Sequence, residues 1–199
     1  MLRRRVPVRH RPAGAPAATL RGDSGGVGRA SSSAAEAVSD ALRRGADPFL
    51  ARRRRTAALT LGAMGSLTAV AAYQFGLIRR LPEPPLRVLD ADRVDASGEA
   101  YQYLKTPDAA IGLASYAATL VLVGMGAADR SRTRPWVPLL TAAKVATDAA
   151  FGVFLTAEQA TKHRRFCSWC LVAALASVLT VPQTVPEAAA AWRSVRHRG

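Results

Sequence analysis

Cysteine is scarce in this sequence of 199 residues, which contains only Cys167 and Cys170. A structural zinc site needs four ligands, usually supplied as two pairs of Cys or His. The sequence has no second pair, and His163 is the only histidine near the cysteines. Covalent c-type haem needs a histidine directly after the second cysteine, where this chain has Leu171. Zinc and haem are therefore disfavoured, which leaves redox chemistry or two unrelated buried cysteines.

Acidic residues are also few: 14 of them face 28 lysines and arginines, giving a formal net charge of +14 and a pI of about 11.3. Such a charge suggests nucleic acid or an anionic membrane surface as the partner. No nucleic-acid-binding motif or aromatic interleaving supports the first, so we expect no specific nucleic acid. The basic tails are predicted to contact anionic lipid.

Large apolar residues are rare in the first quarter of the chain, which is rich in Arg, Ala, Ser, Gly and Pro. Such a composition cannot offset the entropy of ordering, so residues 1–50 are predicted to be a disordered basic tail. One short helix is predicted within it, at AAEAVSDALRRGA. Residues 191–199 are predicted to be a second, short basic tail.

Charge is absent from three long apolar runs, and a fourth run contains only Lys144 and Asp148. A helix that spans a bilayer needs about 20 predominantly apolar residues. The sequence therefore predicts an all-α membrane protein in which residues 51–190 form a bundle of four transmembrane helices. These helices are placed at about 56–78, 109–128, 136–156 and 166–186. The alternative is a soluble, alanine-rich helical bundle, which would show polar faces.

Lysine and arginine are distributed unevenly between the predicted loops. If the N-terminus is cytoplasmic, 19 of these residues lie on the cytoplasmic side and eight on the other, and the run RRRR at 52–55 directly precedes the first helix. Both termini are therefore predicted to be cytoplasmic. The loop 79–108 and the cysteine pair are predicted to lie outside.

Lys144 and Asp148 lie four residues apart on one face of the third predicted helix. Charges inside a membrane are costly and often functional, so the pair is a candidate intramembrane ion pair. The alternatives are a purely structural pair or a Lys144 that snorkels to the interface.

The loop after the first helix carries four acids, Asp90, Asp92, Asp95 and Glu99. They lack the spacing and central glycine of a calcium loop, so they are predicted to be solvated.

Cys167 and Cys170 open the fourth predicted helix, one turn apart. Unpaired N–H groups at a helix N-terminus, together with Lys162, Arg164 and Arg165 just upstream, are expected to lower the pKa of the Cys167 thiol. Cys167 is therefore expected at the water edge as the more reactive thiol. Cys170 is expected to be deeper and shielded.

Two segments resemble the vitamin K epoxide reductase family. PDAAIGLASY, Pro107–Tyr116, is similar to the start of that family's second helix, and CSWCLVAA, Cys167–Ala174, is similar to its active-site segment. The likeness covers roughly residues 56–186. It implies a thiol–disulfide oxidoreductase of the bacterial inner (plasma) membrane that passes electrons to a membrane quinone, either menaquinone or ubiquinone.

The resemblance also implies roles for individual residues. Cys170 would contact the quinone and Cys167 would exchange disulfides with a secreted or membrane-anchored thioredoxin-like dithiol protein. Trp169, Tyr116 and Tyr73 are the candidate quinone-contacting residues, and interface anchoring is the alternative for Trp169 and Tyr73. The family carries a second cysteine pair in the loop after the first helix, where this chain has none. The alternative function is a non-catalytic four-helix membrane scaffold with a residual cysteine pair.

Overall fold

A computed structural model describes residues 32–198 of the chain. These residues form seven α-helices, with no extended strand among them: α1 (Ser33–Arg44), α2 (Pro48–Gln74), α3 (Ala91–Asp95), α4 (Asp108–Gly124), α5 (Arg130–Thr133), α6 (Trp136–Glu158) and α7 (Ser168–Arg196). In the bundle, α7 packs against α2 and α6, while α4 packs against the same two helices. Two short 3₁₀ turns, Gly98–Tyr101 and Tyr103–Lys105, lead into α4.

All four predicted helices are present, but only three of them are long enough to cross a membrane: α2, α7, and α6 with its continuation to His163. The helix α4 is apolar but has 17 residues, a length of about 26 Å. The hydrocarbon core of a bilayer is about 30 Å thick. The prediction of four transmembrane helices is therefore supported for three of them, while α4 is apolar but shorter.

Large apolar side chains on the bundle point away from its interior. Leu61 on α2, Val121 on α4 and Leu175 on α7 are 56%, 62% and 59% exposed. In water such positions would carry polar residues. The outward apolar surface therefore favours a lipid-facing bundle over the soluble alternative.

The helix α2 begins eight residues before the predicted position 56. Asp47 caps its first turn, because the carboxylate accepts hydrogen bonds from the backbone N–H groups of Phe49 and Leu50, and Pro48 occupies the first helical position. The basic run 52–55 is consequently part of the helix. At the other end the chain leaves the helix at Gly76, whose φ of +74° suits glycine.

The helix α7 runs ten residues beyond the predicted end at 186. Pro182 and Pro186 lie inside it without ending it, as bundle neighbours can compensate for the lost hydrogen bonds in membrane helices. The predicted basic tail at 191–199 is therefore continuous with α7, which is helical up to Arg196.

The extension of α7 places Glu187 inside the protein. Its carboxylate accepts hydrogen bonds from Arg53 Nη2 at 2.6 Å and from Arg130 Nη2 at 2.8 Å, and all three side chains are buried. Arg130 also donates to the backbone oxygens of Leu122 and Val123 near the end of α4. The cluster ties α2, α4, α5 and α7 together and satisfies carbonyl groups that the short α4 would otherwise leave unpaired.

The described part of the segment 1–50 is mostly helical. The helix α1 coincides with the short helix predicted at AAEAVSDALRRGA, and the Ser32 side chain caps it by accepting from Ala35 N. Residues 1–31, on which the rest of the predicted tail falls, lie outside the described residues.

The connection between α2 and α4 folds back over the start of α7. Phe166 N donates to Val88 O, and Asp90 N donates to Phe166 O, both at 2.9 Å. Glu83, between two prolines, accepts from Ser168 N at 2.7 Å and from Ala91 N at 2.5 Å. These contacts hold α3 against the first turn of α7, where the cysteines lie.

Candidate functional site

The two cysteines lie where α6 turns into α7. A π-helical turn, Gln159–His163, ends α6, and Gln159 Oε1 accepts a hydrogen bond from Cys167 N at 3.0 Å. Cys167 is the N-cap of α7, and its Sγ accepts from Cys170 N at 3.2 Å. Both cysteines are free thiols, one helical turn apart. The structure thus brings the two predicted catalytic residues together, with Gln159 as a positioning contact that the sequence did not indicate.

The predicted exposure of Cys167 is wrong. Cys167 is 0% exposed and packs with Leu81, Ala91 and Val94 of the connection, whereas Cys170 is only partly buried. The spacing of the pair indicated a helix start, but not that the preceding connection covers it.

The expected lowering of the Cys167 pKa is also reversed. The hydrogen bond from Cys170 lowers the pKa of the Cys167 thiol, but burial and the negative charge of Asp95 outweigh it and raise the pKa. Of the three basic residues expected to act on it, Lys162 is instead paired with Glu158 at 2.5 Å. Cys167 is therefore held as a thiol rather than a thiolate.

Asp95, predicted to be a solvated loop residue, faces the two thiols from the end of α3. Its Oδ1 accepts a hydrogen bond from Cys170 Sγ at 3.3 Å, and the residue is 2% exposed. Burial, with smaller contributions from the charges of Asp108 and Glu83, raises the pKa of Asp95 to about 6 against the hydrogen bonds from both thiols. No local sequence pattern distinguishes Asp95 from the other acids of the loop, Asp90, Asp92 and Glu99, none of which is fully buried.

Asp95, Cys167 and Cys170 also form a possible metal-binding group, since their ligand atoms lie within 4.8 Å of one another. Structural zinc takes four protein ligands. No fourth His, Cys, Asp or Glu joins the group within residues 32–198. The arrangement therefore suits thiol chemistry better than structural zinc.

A cavity of about 530 Å³ opens beside Cys170 inside the bundle. Its wall is formed by α2, α4, α6, α7 and the residues that precede α4, and it includes Asp95, Tyr103, Tyr116 and Phe151. Cavities of this size and mostly apolar character bind small organic molecules. Cys170, and not Cys167, is the cysteine that faces it.

Of the three aromatic residues predicted to contact a quinone, Tyr116 lines this cavity and the other two do not. The Tyr116 hydroxyl lies 2.7 Å from Ser177 Oγ. Tyr73 and Trp169 instead hold the connection, because the Tyr73 hydroxyl donates to Asp92 O at 3.3 Å and Trp169 Nε1 donates to Pro82 O at 2.9 Å.

Lys144 and Asp148 form an ion pair on the face of α6 that meets α4. Lys144 Nζ lies 2.6 Å from both carboxylate oxygens of Asp148, while Ser115 and Thr119 of α4 donate to the same carboxylate at 2.8 and 3.0 Å. Asp148 and Ser115 also line the cavity. The pair is therefore integrated with α4 rather than snorkelling to an interface.

Comparison with known proteins gives one family. No curated protein and no solved structure is similar enough to this chain to match it. A model of the Vitamin K epoxide reductase family matches residues 54–185, which include α4, α6, both cysteines and most of α2. Since this match covers more than half of the chain, the protein belongs to the Vitamin K epoxide reductase family, whose members are membrane redox proteins.

Proposed function

We propose that this protein is a thiol–quinone oxidoreductase of the bacterial inner membrane, with Cys167 and Cys170 as its redox centre. The observation that carries the proposal is that Cys170 lies at the wall of the 530 Å³ cavity, while its backbone N–H donates a hydrogen bond to Cys167 Sγ at 3.2 Å. The two termini are cytoplasmic and the connection between α2 and α4 lies outside.

The cavity supports quinone as the oxidant. A quinone head group needs an apolar slot with a few polar groups, and the cavity presents Tyr116, Ser115 and Asp95 among apolar side chains. Members of this family use quinones as electron acceptors. When bound, a quinone accepts two electrons and two protons, which is what a dithiol releases on forming a disulfide.

An external dithiol protein is proposed as the electron donor. The connection 79–107 contains no cysteine, so no second pair within the chain can relay electrons to Cys167. The donor must therefore exchange directly with Cys167. Because Cys167 is 0% exposed, α3 and the residues around Leu81 must move aside for the exchange.

The burial of Cys167 also favours the second candidate function, a non-catalytic membrane scaffold with a residual cysteine pair. In that case the connection stays closed and the thiols are packing residues. The two candidates differ in whether Cys167 reacts with a partner thiol.

Trapping a mixed disulfide tests the proposal. Cys170→Ser removes the resolving thiol, so Cys167 should remain joined to its donor. Cys167→Ser should trap little, because Cys170 faces the cavity rather than the donor. Non-reducing gels of membranes from the two mutants, with the double serine mutant as the cysteine-free control, measure this. Equal trapping by both single mutants contradicts the assigned roles, and no trapping by either favours the scaffold.

A further inference from the structure

Asp95 is the acidic group that most directly contacts the cysteine pair. Its Oδ1 accepts from Cys170 Sγ at 3.3 Å, and Cys167 Sγ lies within 4.8 Å of the same carboxylate. The other oxygen, Oδ2, is buried and accepts no hydrogen bond from any residue between 32 and 198. A buried, unsatisfied carboxylate oxygen is costly and rare. Its presence beside two thiols points to a chemical role.

The groups around Asp95 leave its charge uncompensated. It faces the two thiols at the start of α7, and the negative charges of Asp108 on α4 and of Glu83 in the connection act on it. The Gln74 amide of α2 donates to the Asp95 backbone oxygen at 3.3 Å and to Asp108 Oδ1 at 2.7 Å, so it does not neutralise Asp95. No lysine, arginine or histidine of the described chain forms an ion pair with Asp95.

Burial raises the pKa of Asp95 to about 6. A carboxyl group that titrates near neutral pH can both accept and release a proton during turnover. Asp95 also lines the cavity, so one side chain contacts both the thiol that loses a proton and the space where the oxidant binds.

We propose that Asp95 is a catalytic residue that carries protons from the cysteine thiols to the bound quinone, an inference that rests on the proposed function. The ionised carboxylate takes the proton of the Cys170 thiol and delivers it to a quinone oxygen. It then takes the Cys167 proton in the same way. The Sγ–Sγ bond forms as two S–H bonds are lost, and the two electrons and two protons reappear in the quinol, so the step is balanced.

The geometry predicts that Asp95→Asn changes two rates in opposite directions, the alkylation of Cys170 and the reduction of quinone. Structural damage would lower both rates together. Removing a negative charge beside Cys170 favours its thiolate. In a Cys167→Ser background, where Cys170 is the only thiol, Asp95→Asn should therefore speed alkylation of Cys170 several-fold at fixed pH. In the intact pair, the same change should slow quinone reduction about 100-fold or more, the usual contribution of a positioned acid–base group.

The pH profile gives a second, independent readout. Because the ionised carboxylate accepts the proton, quinone reduction by the wild type should rise with pH around the Asp95 pKa of about 6. That rise should be absent in Asp95→Asn and partly restored in Asp95→Glu. The matched control is Asp92→Asn in the same short helix, because an asparagine oxygen can still accept the hydrogen bond from Leu81 N that Asp92 accepts.

The experiment measures both rates on the purified full chain with a dithiol donor and a soluble quinone. Faster alkylation with slower, pH-flat quinone reduction in Asp95→Asn supports the proposal. Alkylation and quinone reduction that fall together, or an Asp95→Asn variant as active as Asp92→Asn, overturn it and leave the proposed function intact. A wild-type chain that reduces no quinone overturns the proposed function and this inference with it.

Discussion

Glu187 bridges two buried arginines, and replacing it with glutamine should destabilise the fold strongly. Its Oε1 accepts from Arg53 Nη2 at 2.6 Å and its Oε2 from Arg130 Nη2 at 2.8 Å, and the three side chains are 6%, 3% and 1% exposed. Removing one partner of a buried ion pair leaves an uncompensated charge, which costs about 3–5 kcal/mol. Here two guanidinium groups lose their counter-charge at once. Glu187→Gln should therefore lower the free energy of unfolding by at least about 3 kcal/mol.

Unfolding in detergent micelles, followed by tryptophan fluorescence, measures the loss. The matched control is Asp40→Asn, which breaks the exposed Arg44–Asp40 pair at 3.7 Å. Exposed pairs contribute about 1 kcal/mol or less, so this control should unfold almost like the wild type. If Glu187→Gln and Asp40→Asn unfold alike, the charge cluster does not stabilise the bundle and the account of how α4 ends is wrong.

Three further predictions concern the ion pair in α6, the pH dependence of stability and the orientation in the membrane. Asp148→Ala should leave the Lys144 ammonium without its counter-charge and lower the free energy of unfolding by about 3–5 kcal/mol. The double change of both residues to alanine should recover part of that loss. Equal, small and additive losses in the same unfolding assay would contradict the pairing. The folded-state pKa of Asp95 lies at about 6 against 3.8 for the ordinary carboxyl group. Stability contributed by protonated Asp95 is thus present below about pH 4 and lost as pH rises through about 6, so the wild type should lose about 3 kcal/mol relative to Asp95→Asn over that window. Unfolding curves at matched pH values measure the difference, and parallel curves for the two proteins would refute it. In a cysteine-free background, an impermeant thiol reagent added to intact cells should label Ala96→Cys and not Thr133→Cys, and the opposite pattern would reverse the topology.

Three of the four main helices could be predicted because long runs without charge have few alternatives to a membrane helix, and α6 because its equally long run carries only Lys144 and Asp148. The residues at which these helices begin and end were harder to predict. The start of α2 had a readable local signal, Asp47 followed by Pro48, in the capping pattern that begins helices. The end of α7 had misleading signals, because Pro182 and Pro186 stop helices in water but are tolerated within a membrane bundle.

The cysteine pair could be located from the sequence, but its environment could not. The solvent exposure of Cys167 depends on where the connection before α4 lies. That position is set by long-range contacts, such as the hydrogen bond that Ser168 N donates to Glu83. The same holds for Asp95, whose burial comes from α3 resting on α7. Charge near a thiol in sequence also proved a poor guide, because Lys162 pairs with Glu158 while the charge that acts on Cys167 comes from Asp95 of α3.

The central claim is that the Cys167–Cys170 pair passes electrons from a dithiol to a quinone, and the most direct test is quinol formation by the purified protein. Wild-type chain supplied with a dithiol donor and a quinone should form quinol catalytically, whereas Cys167→Ser and Cys170→Ser should both fall to the uncatalysed rate. Wild-type protein that forms no more quinol than the double serine mutant would contradict the claim.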